Sequence, residues 1–265
     1  MNVALAPRPA LLTIEPDDTF VTLQGVTKVF GTGRRSCTAL QDVSLEVARG
    51  EFVCVLGTSG CGKSTLLSVI AGLDHATSGT IEIADGRPAV MFQDPGLLPW
   101  LTVRRNVELP MRIHKVDSGK RDETVNRLLA MVGLIDFAER RPHQLSGGMR
   151  QRCALARALA QDSELLLMDE PFAALDAITR DQLHDDLNRI WQETGKTIIF
   201  VTHNVREAVR LGDRVVLMTP RPGRVDQIWD VDISRPRELD SSEVAGLATE
   251  ITSRLRAGAA ANGTE

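Results

Sequence analysis

No stretch of this 265-residue sequence approaches the roughly 20 consecutive apolar residues that cross a bilayer, which excludes a transmembrane helix. An excess of positive charge is also missing. Lys and Arg number 31 against 35 Asp and Glu, a net charge of -4, so no overall basic field points to nucleic acid or anionic lipid. The four cysteines (Cys37, Cys54, Cys61, Cys153) are far apart and lack metal-ligand spacing, as expected for free thiols in a reducing compartment. There is no internal repeat and no heptad insert. The opening "MNVALAPRPALLTIEPDD" has no basic segment followed by a continuous apolar core, so it is not read as a signal peptide. Tyrosine is absent altogether.

What is present is a soluble globular composition, 43% hydrophobic and 25% charged, with an α/β pattern. Residues 1–18 read as a loose leader. "FVTLQGV" (20–26) and "VSLEV" (43–47) alternate like half-buried antiparallel strands, whereas "EFVCVLG" (51–57) is nearly continuous in apolar residues, the mark of a strand buried on both faces. Further strands are expected at 88–93, 164–170, 197–203 and 214–218, with helices following Gly62, Gly147, Ile178 and Asn204. Mostly helical sequence interrupts the pattern from 101 to 142 and, with the helix after Gly147, makes an inserted subdomain of about 101–160. The main domain is bounded at 19–232, and residues from 233 fade into an Ala/Gly tail. Within that tail 237–256 could form an amphipathic helix, packing or regulatory.

"GTSGCGKST" (57–65) fits G-x-x-x-x-G-K-[ST] between a buried strand and a helix. Such a match arises by chance in roughly one chain of this length per hundred, and the strand–loop–helix context lowers that further. The backbone of Gly57, Thr58, Ser59, Gly60, Cys61 and Gly62 can curl around phosphate oxygens; Lys63 neutralises charge, Ser64 can ligate Mg²⁺, and Thr65 adds a hydroxyl. "LLLMDE" ends a buried strand on Asp169, suited to the Mg²⁺ shell, and Glu170, suited to polarising an attacking water. A lone "DE" is more often a pair of strand-terminating charges; beside this loop it is not. His203 and Gln93 each end a strand at the same sheet edge, the first to reach a γ-phosphate, the second to reach Mg²⁺ or water. Cys61, two residues before Lys63, is expected to have a lowered thiol pKa and to be alkylated unless ATP protects it.

"LSGGMRQR" (145–152) raises a separate question, since glycine inside a helix costs roughly 1 kcal/mol. At a helix start, Ser146 can cap, and Gly147 and Gly148 leave amides open to an anion at the positive end of the dipole. The motif has no lysine of its own, which suggests that it completes a phosphate site built elsewhere.

In this order, the phosphate loop, Gln93, "LSGGMRQR", "LLLMDE", "AALD" and His203 resemble the ATP-binding subunit of ABC transporters over roughly residues 20–230. The resemblance implies a P-loop ATPase core with an antiparallel β subdomain and an inserted helical one, working as a head-to-tail pair with ATP and Mg²⁺. Ser146, Gly147, Gly148 and Gln151 would act in trans on the partner's ATP, Asp176 would span the interface, and Glu170 would be the general base. Phe30 stands where the family places an adenine-stacking aromatic, and Ala173 stands where many relatives have serine. In "FQDPGLLPWLTVRRNVELP" (92–110), Leu97, Leu98 and Trp100 would be exposed for docking to a membrane permease. "LLPWLTV", "EPFAALDAITR" and "RPGRV" (221–225) look like the nitrate/sulfonate/taurine importer branch, whose ATPase sits at the cytoplasmic face of the cell membrane and whose solute-binding protein is periplasmic or lipid-anchored. An exporter or lipid-transport ATPase, and a soluble ABC-type ATPase, are the alternatives.

Overall fold

The computed structural model describes residues 18–261; all but the last residue of the expected leader lies outside them. Its centre is a six-stranded sheet in the order β5-β6-β7-β3-β8-β9, formed by β3 (Phe52–Leu56), β5 (Ala89–Met91), β6 (Leu165–Asp169), β7 (Thr197–Thr202), β8 (Arg214–Met218) and β9 (Val225–Asp230). All neighbours run parallel except β8 and β9. In β3, β6, β7 and β8 the apolar runs are continuous because both faces are buried. Phe52, Cys54 and Leu56 point into one core with Leu166, Met168, Ile198 and Phe200. Val53 and Val55 point into the other with Leu165, Leu167, Ile199 and Val201.

The second core is closed by α1 (Lys63–Ile70) and by a three-stranded antiparallel sheet, β2 (Cys37–Ala48), β1 (Thr19–Phe30) and β4 (Ser78–Ile83) in that order. The first core extends into α2 (Val103–Ile113), α3 (Ser118–Met131) and α4 (Gly147–Leu159), the inserted helical region. On the same face lie α5 (Ala177–Thr194) and α6 (Val205–Leu211), and Trp191 of α5 meets Phe52 edge-on at 5.8 Å between ring centroids. Helix α5 starts before the expected Ile178, because Asp176 is its N-cap and accepts the Thr179 backbone N–H at 3.0 Å.

Residues after 233 do not fade. Helix α7 spans Ser242–Ala261 and buries Val244, Ala248 and Ile251 in the first core, so the helix expected within 237–256 is present and packed. Arg237 fastens the segment that leads to it. Its guanidinium is buried and donates to the carbonyls of Val209, Gly212, Val231 and Ile233. Burial lowers its pKa to about 10. No helix among the described residues is long and apolar enough to cross a membrane.

Candidate functional site

Because β6, β7, β3 and β8 are adjacent and parallel, their C-terminal ends deliver four loops to one sheet edge, where open α/β folds hold ligands. From β3 comes the phosphate loop. Gly62 sits at φ +95°, and a Cβ there would lie 2.8 Å from the Ala39 carbonyl, so only glycine fits. The Lys63 ammonium is buried. It donates to the carbonyls of Gly57 (2.9 Å) and Thr58 (3.2 Å), closing the loop on itself, and lies 3.6 Å from Glu170 Oε1.

Glu170 stands just past β6 with φ +45°, a left-handed conformation uncommon for a non-glycine residue, and its backbone N–H donates to the Val201 carbonyl at 3.0 Å. That turn sets its carboxylate between Lys63 and His203, whose Nδ1 is 2.8 Å from Glu170 Oε2. Asp169 accepts the Ser64 hydroxyl. Burial raises its carboxyl above the usual range, Ser64 opposes that rise, Glu170 adds to it, and Lys63 opposes it. The structure therefore unites the phosphate loop, Ser64, Asp169, Glu170 and His203 in one constellation.

Behind His203 lies a buried polar chain that sequence reasoning missed. Thr202 donates its hydroxyl to Glu207, Glu207 Oε1 lies 2.6 Å from His184 Nε2, and Arg210 approaches His184 Nδ1 at 3.5 Å. Thr202 Oγ1 also accepts the Asn204 backbone N–H at 2.9 Å. Asn204 caps α6, so the network ties α5 and α6 to the strand that presents His203.

The signature residues lie apart, at the start of α4. Ser146 accepts the Met149 N–H at 3.2 Å, as an N-cap does. Gly147 is half-buried, but Gly148 is buried, and a Cβ on it would stand 2.4 Å from Thr179 Cγ2. One of the two glycines therefore serves helix packing, a role that glycine content alone did not reveal. Gln151 was expected to act in trans, but it is turned inward. It is 3% exposed, its Nε2 donates to the Gln93 carbonyl at 2.9 Å, and its Oε1 is buried with no hydrogen-bond partner among the described residues. Gln93 itself is exposed, beside a cleft of about 360 Å³ lined by Gly147, Arg150, Gln151 and Leu175. Asp176 is exposed, and its carboxyl is held below the usual range by the Thr179 backbone N–H that it caps. Phe30 ends β1, 44% exposed, with the Lys28 ammonium 4.8 Å from its ring centroid.

Two expectations are corrected. Cys61 is buried, and desolvation pushes its thiol up, with Lys63 opposing the shift, so proximity to Lys63 does not make it reactive. Leu97 and Leu98 are half-buried, Leu97 against the first core; Trp100 (67% exposed) and the unanticipated Phe92 are the rings that face solvent. This loop is fastened from below. Asn106, fully buried, binds both the N–H and the carbonyl of Leu98, and Arg157 donates to the carbonyls of Pro95 and Gly96.

Comparison with known proteins adds the following. The family model described as ABC transporter matches residues 40–173. An uncharacterized ABC transporter ATP-binding protein of Methanocaldococcus jannaschii is 45% identical over 88% of this chain and 90% of its own length. The nitrate import ATP-binding protein of Synechococcus elongatus is 42% identical, over 84% of this chain and 85% of its own. The taurine import ATP-binding protein of Roseobacter denitrificans is 47% identical, over 71% and 72%. Among solved structures, a dimeric ATP-binding cassette in a post-hydrolysis state with ADP and Pi superposes with a TM-score of 0.70 at 35% identity, covering 80% of this chain and 98% of that one.

Proposed function

This chain belongs to the ABC transporter family and is an ATP-hydrolysing subunit, and from that premise we propose that it energises uptake of a small anion, of the nitrate, sulfonate or taurine kind, through a membrane permease. The observation that carries the catalytic half of this reading is the position of Glu170, with one carboxylate oxygen 3.6 Å from the buried Lys63 and the other 2.8 Å from His203. The anion half is supported by relatives named for nitrate and taurine import.

In this reading the phosphate-loop amides and Lys63 hold the β- and γ-phosphates. Glu170 accepts a proton from water as the water oxygen bonds to the γ-phosphorus. The bond from that phosphorus to the β–γ bridging oxygen breaks, giving ADP and phosphate. His203 orients Glu170 and the γ-phosphate. Ser64, Asp169 and Gln93 fit a Mg²⁺ ion. A hydroxyl already bonded to a carboxylate is the kind of sparse oxygen set that Mg²⁺ takes when substrate phosphates supply the rest, and Gln93 would add an amide oxygen. That ion, when bound, neutralises phosphate charge. Phe30 would stack on adenine. Ser146 and Gly147 would face the ATP of a second ATPase subunit, with Asp176 at the interface. Trp100 and Phe92 would receive the permease, which places the chain at the cytoplasmic face of the membrane and links it indirectly to a solute-binding protein.

The test is Glu170→Gln. ATPase activity should fall by about 10²- to 10⁴-fold, while ATP with Mg²⁺ should hold a stable dimer. A tagged form should bring an integral permease out of solubilised membranes, with a solute-binding protein encoded beside it. A soluble nucleic-acid or ribosomal partner with no permease would overturn the transport reading. A permease without a solute-binding protein would favour export.

A further inference from the structure

The segment "RPGRV" takes no part in the chemistry above, yet it lies against the phosphate loop. It follows β8, the parallel neighbour of β3, so its loop leaves the sheet beside the phosphate loop, on the side opposite Glu170 and His203. The loop is closed by its own bonds. Thr219 N–H donates to the Arg224 carbonyl (2.9 Å), the Thr219 hydroxyl to the Pro222 carbonyl (3.0 Å), and Arg224 N–H to Thr219 Oγ1 (3.1 Å). It is also seated on its surroundings. Gly223 N–H donates to the Ala39 carbonyl at 2.9 Å, and Gly223 approaches the phosphate loop so closely that a Cβ would stand 2.1 Å from the Cys61 carbonyl oxygen.

This seating fixes where Arg221 lies. Its Nη2 is 3.5 Å, and its Nε 3.9 Å, from the point a Cβ on Gly60 would occupy, so the guanidinium lies on the phosphate loop. Its backbone is at φ +31°, in the left-handed region that non-glycine residues rarely adopt outside places where the surroundings hold them there. Arg221 is exposed, and among the described residues its guanidinium has neither a carboxylate nor a carbonyl partner. Arg224 in the same loop is different: its guanidinium donates to Gln41 Oε1 at 2.7 Å. One arginine is tied to the scaffold, while the other has no acidic partner among the described residues and lies at a loop shaped for phosphate.

We propose that Arg221 is a nucleotide-binding residue, its guanidinium taking a phosphate oxygen of the ATP or ADP held by its own phosphate loop as a second cation beside Lys63. A planar guanidinium with forked donors suits phosphate oxygens, and such charge-assisted bonds are the strong ones. The inference rests on the reading that this loop holds ATP.

Equilibrium binding of mant-ATP, mant-ADP and mant-adenosine to the full chain tests it. Arg221→Gln should weaken mant-ATP and mant-ADP about tenfold and leave mant-adenosine within twofold. Arg221→Gly, which accepts the positive φ without strain, should do the same and separates lost charge from a disturbed turn. Arg224→Gln should leave all three ligands within twofold. If Arg221→Gln keeps mant-ATP and mant-ADP within twofold, or weakens mant-adenosine equally, or if Arg224→Gln costs as much, the proposal is wrong. A parent chain that binds none of the three refutes the ATP reading itself and this proposal with it.

Discussion

Gly148→Ala isolates what the second glycine of the signature does. The new Cβ would meet Thr179 Cγ2 at 2.4 Å, well inside contact distance. The methyl cannot simply rotate away, because the Thr179 hydroxyl is bonded to the Asp176 carboxylate. Overpacking of this kind costs roughly 1–3 kcal/mol. Replacing glycine by alanine in a helix returns up to about 1 kcal/mol, which leaves a net loss of at most roughly 2 kcal/mol where that return is complete. For a chain of this size a loss of roughly 2 kcal/mol is a fall in Tm of roughly 4–8 °C. Thr179→Ser removes only the methyl and keeps the hydroxyl; the next atom, Thr179 Cβ, is 3.9 Å from the added carbon. The double variant should therefore recover both the Tm and the ATPase rate lost by Gly148→Ala. Gly147→Ala meets nothing closer than Leu175 Cδ2 at 3.3 Å. It should keep its Tm and, if the half-buried first glycine faces a partner's phosphate as proposed, lose activity. Calorimetry of the four proteins beside a steady-state phosphate-release assay decides the matter. A double variant no more stable than Gly148→Ala would refute the packing account.

Three further outcomes follow from buried groups. His184→Leu leaves the Glu207 carboxylate, 6% exposed, without one of its hydrogen-bond partners, and should cost roughly 1–3 kcal/mol in urea unfolding; a loss well under about 1 kcal/mol would show that the chain behind His203 is dispensable. In the native protein, Ellman's reagent should find only Cys37 among the four thiols, since Cys54, Cys61 and Cys153 are buried and burial pushes their thiols up, Cys153 to about 12. ATP-protectable labelling of Cys61 would contradict this. Asp169 has a raised carboxyl pKa, so the folded chain holds its proton to higher pH than the unfolded chain does, and deprotonation on going from acid to neutral pH costs folding stability. Asp169→Asn without nucleotide should therefore be more stable than the parent at pH 7, with the gain shrinking as pH falls toward the ordinary carboxyl range; a gain that grows on acidification would reverse the assignment.

The strands that carry the site were legible because burial on both faces leaves an unbroken apolar run, as in Phe52–Leu56 and Thr197–Thr202. β4 was not. Its residues are exposed or half-buried on the edge of the antiparallel sheet, and it contains Gly79, so neither alternation nor an apolar run marks it. α7 was legible only as a possible amphipathic helix of undecided role within a tail, because alanine and glycine dilute its buried stripe of Val244, Ala248 and Ile251. At the site, the phosphate loop and "DE" carry their chemistry in residue type and spacing, which a sequence displays. What it does not display is direction. Cys61 beside Lys63 looks activated until its side chain proves to be buried, and Gln151 looks like part of an exposed motif until it turns inward to Gln93.

That inward turn gives the loop after β5 a mechanical character. At one end Gln151 holds the Gln93 carbonyl; in the middle Arg157 holds Pro95 and Gly96; at the far end Asn106 holds Leu98, Leu101 and Thr102. Nearly every one of these bonds reaches a backbone group of the loop, so the exposed rings of Phe92 and Trp100 can vary without loosening it. Two of the three anchors, Gln151 and Arg157, sit on α4, the helix that begins with Ser146 and Gly147. A push on Trp100 would therefore meet a loop fastened to α2 at Leu98 and Leu101 and to α4 at Gln93, Pro95 and Gly96. Under the transport reading, that is the physical requirement for one surface to feel a permease and to report it both to the chain's own nucleotide site and to its partner's.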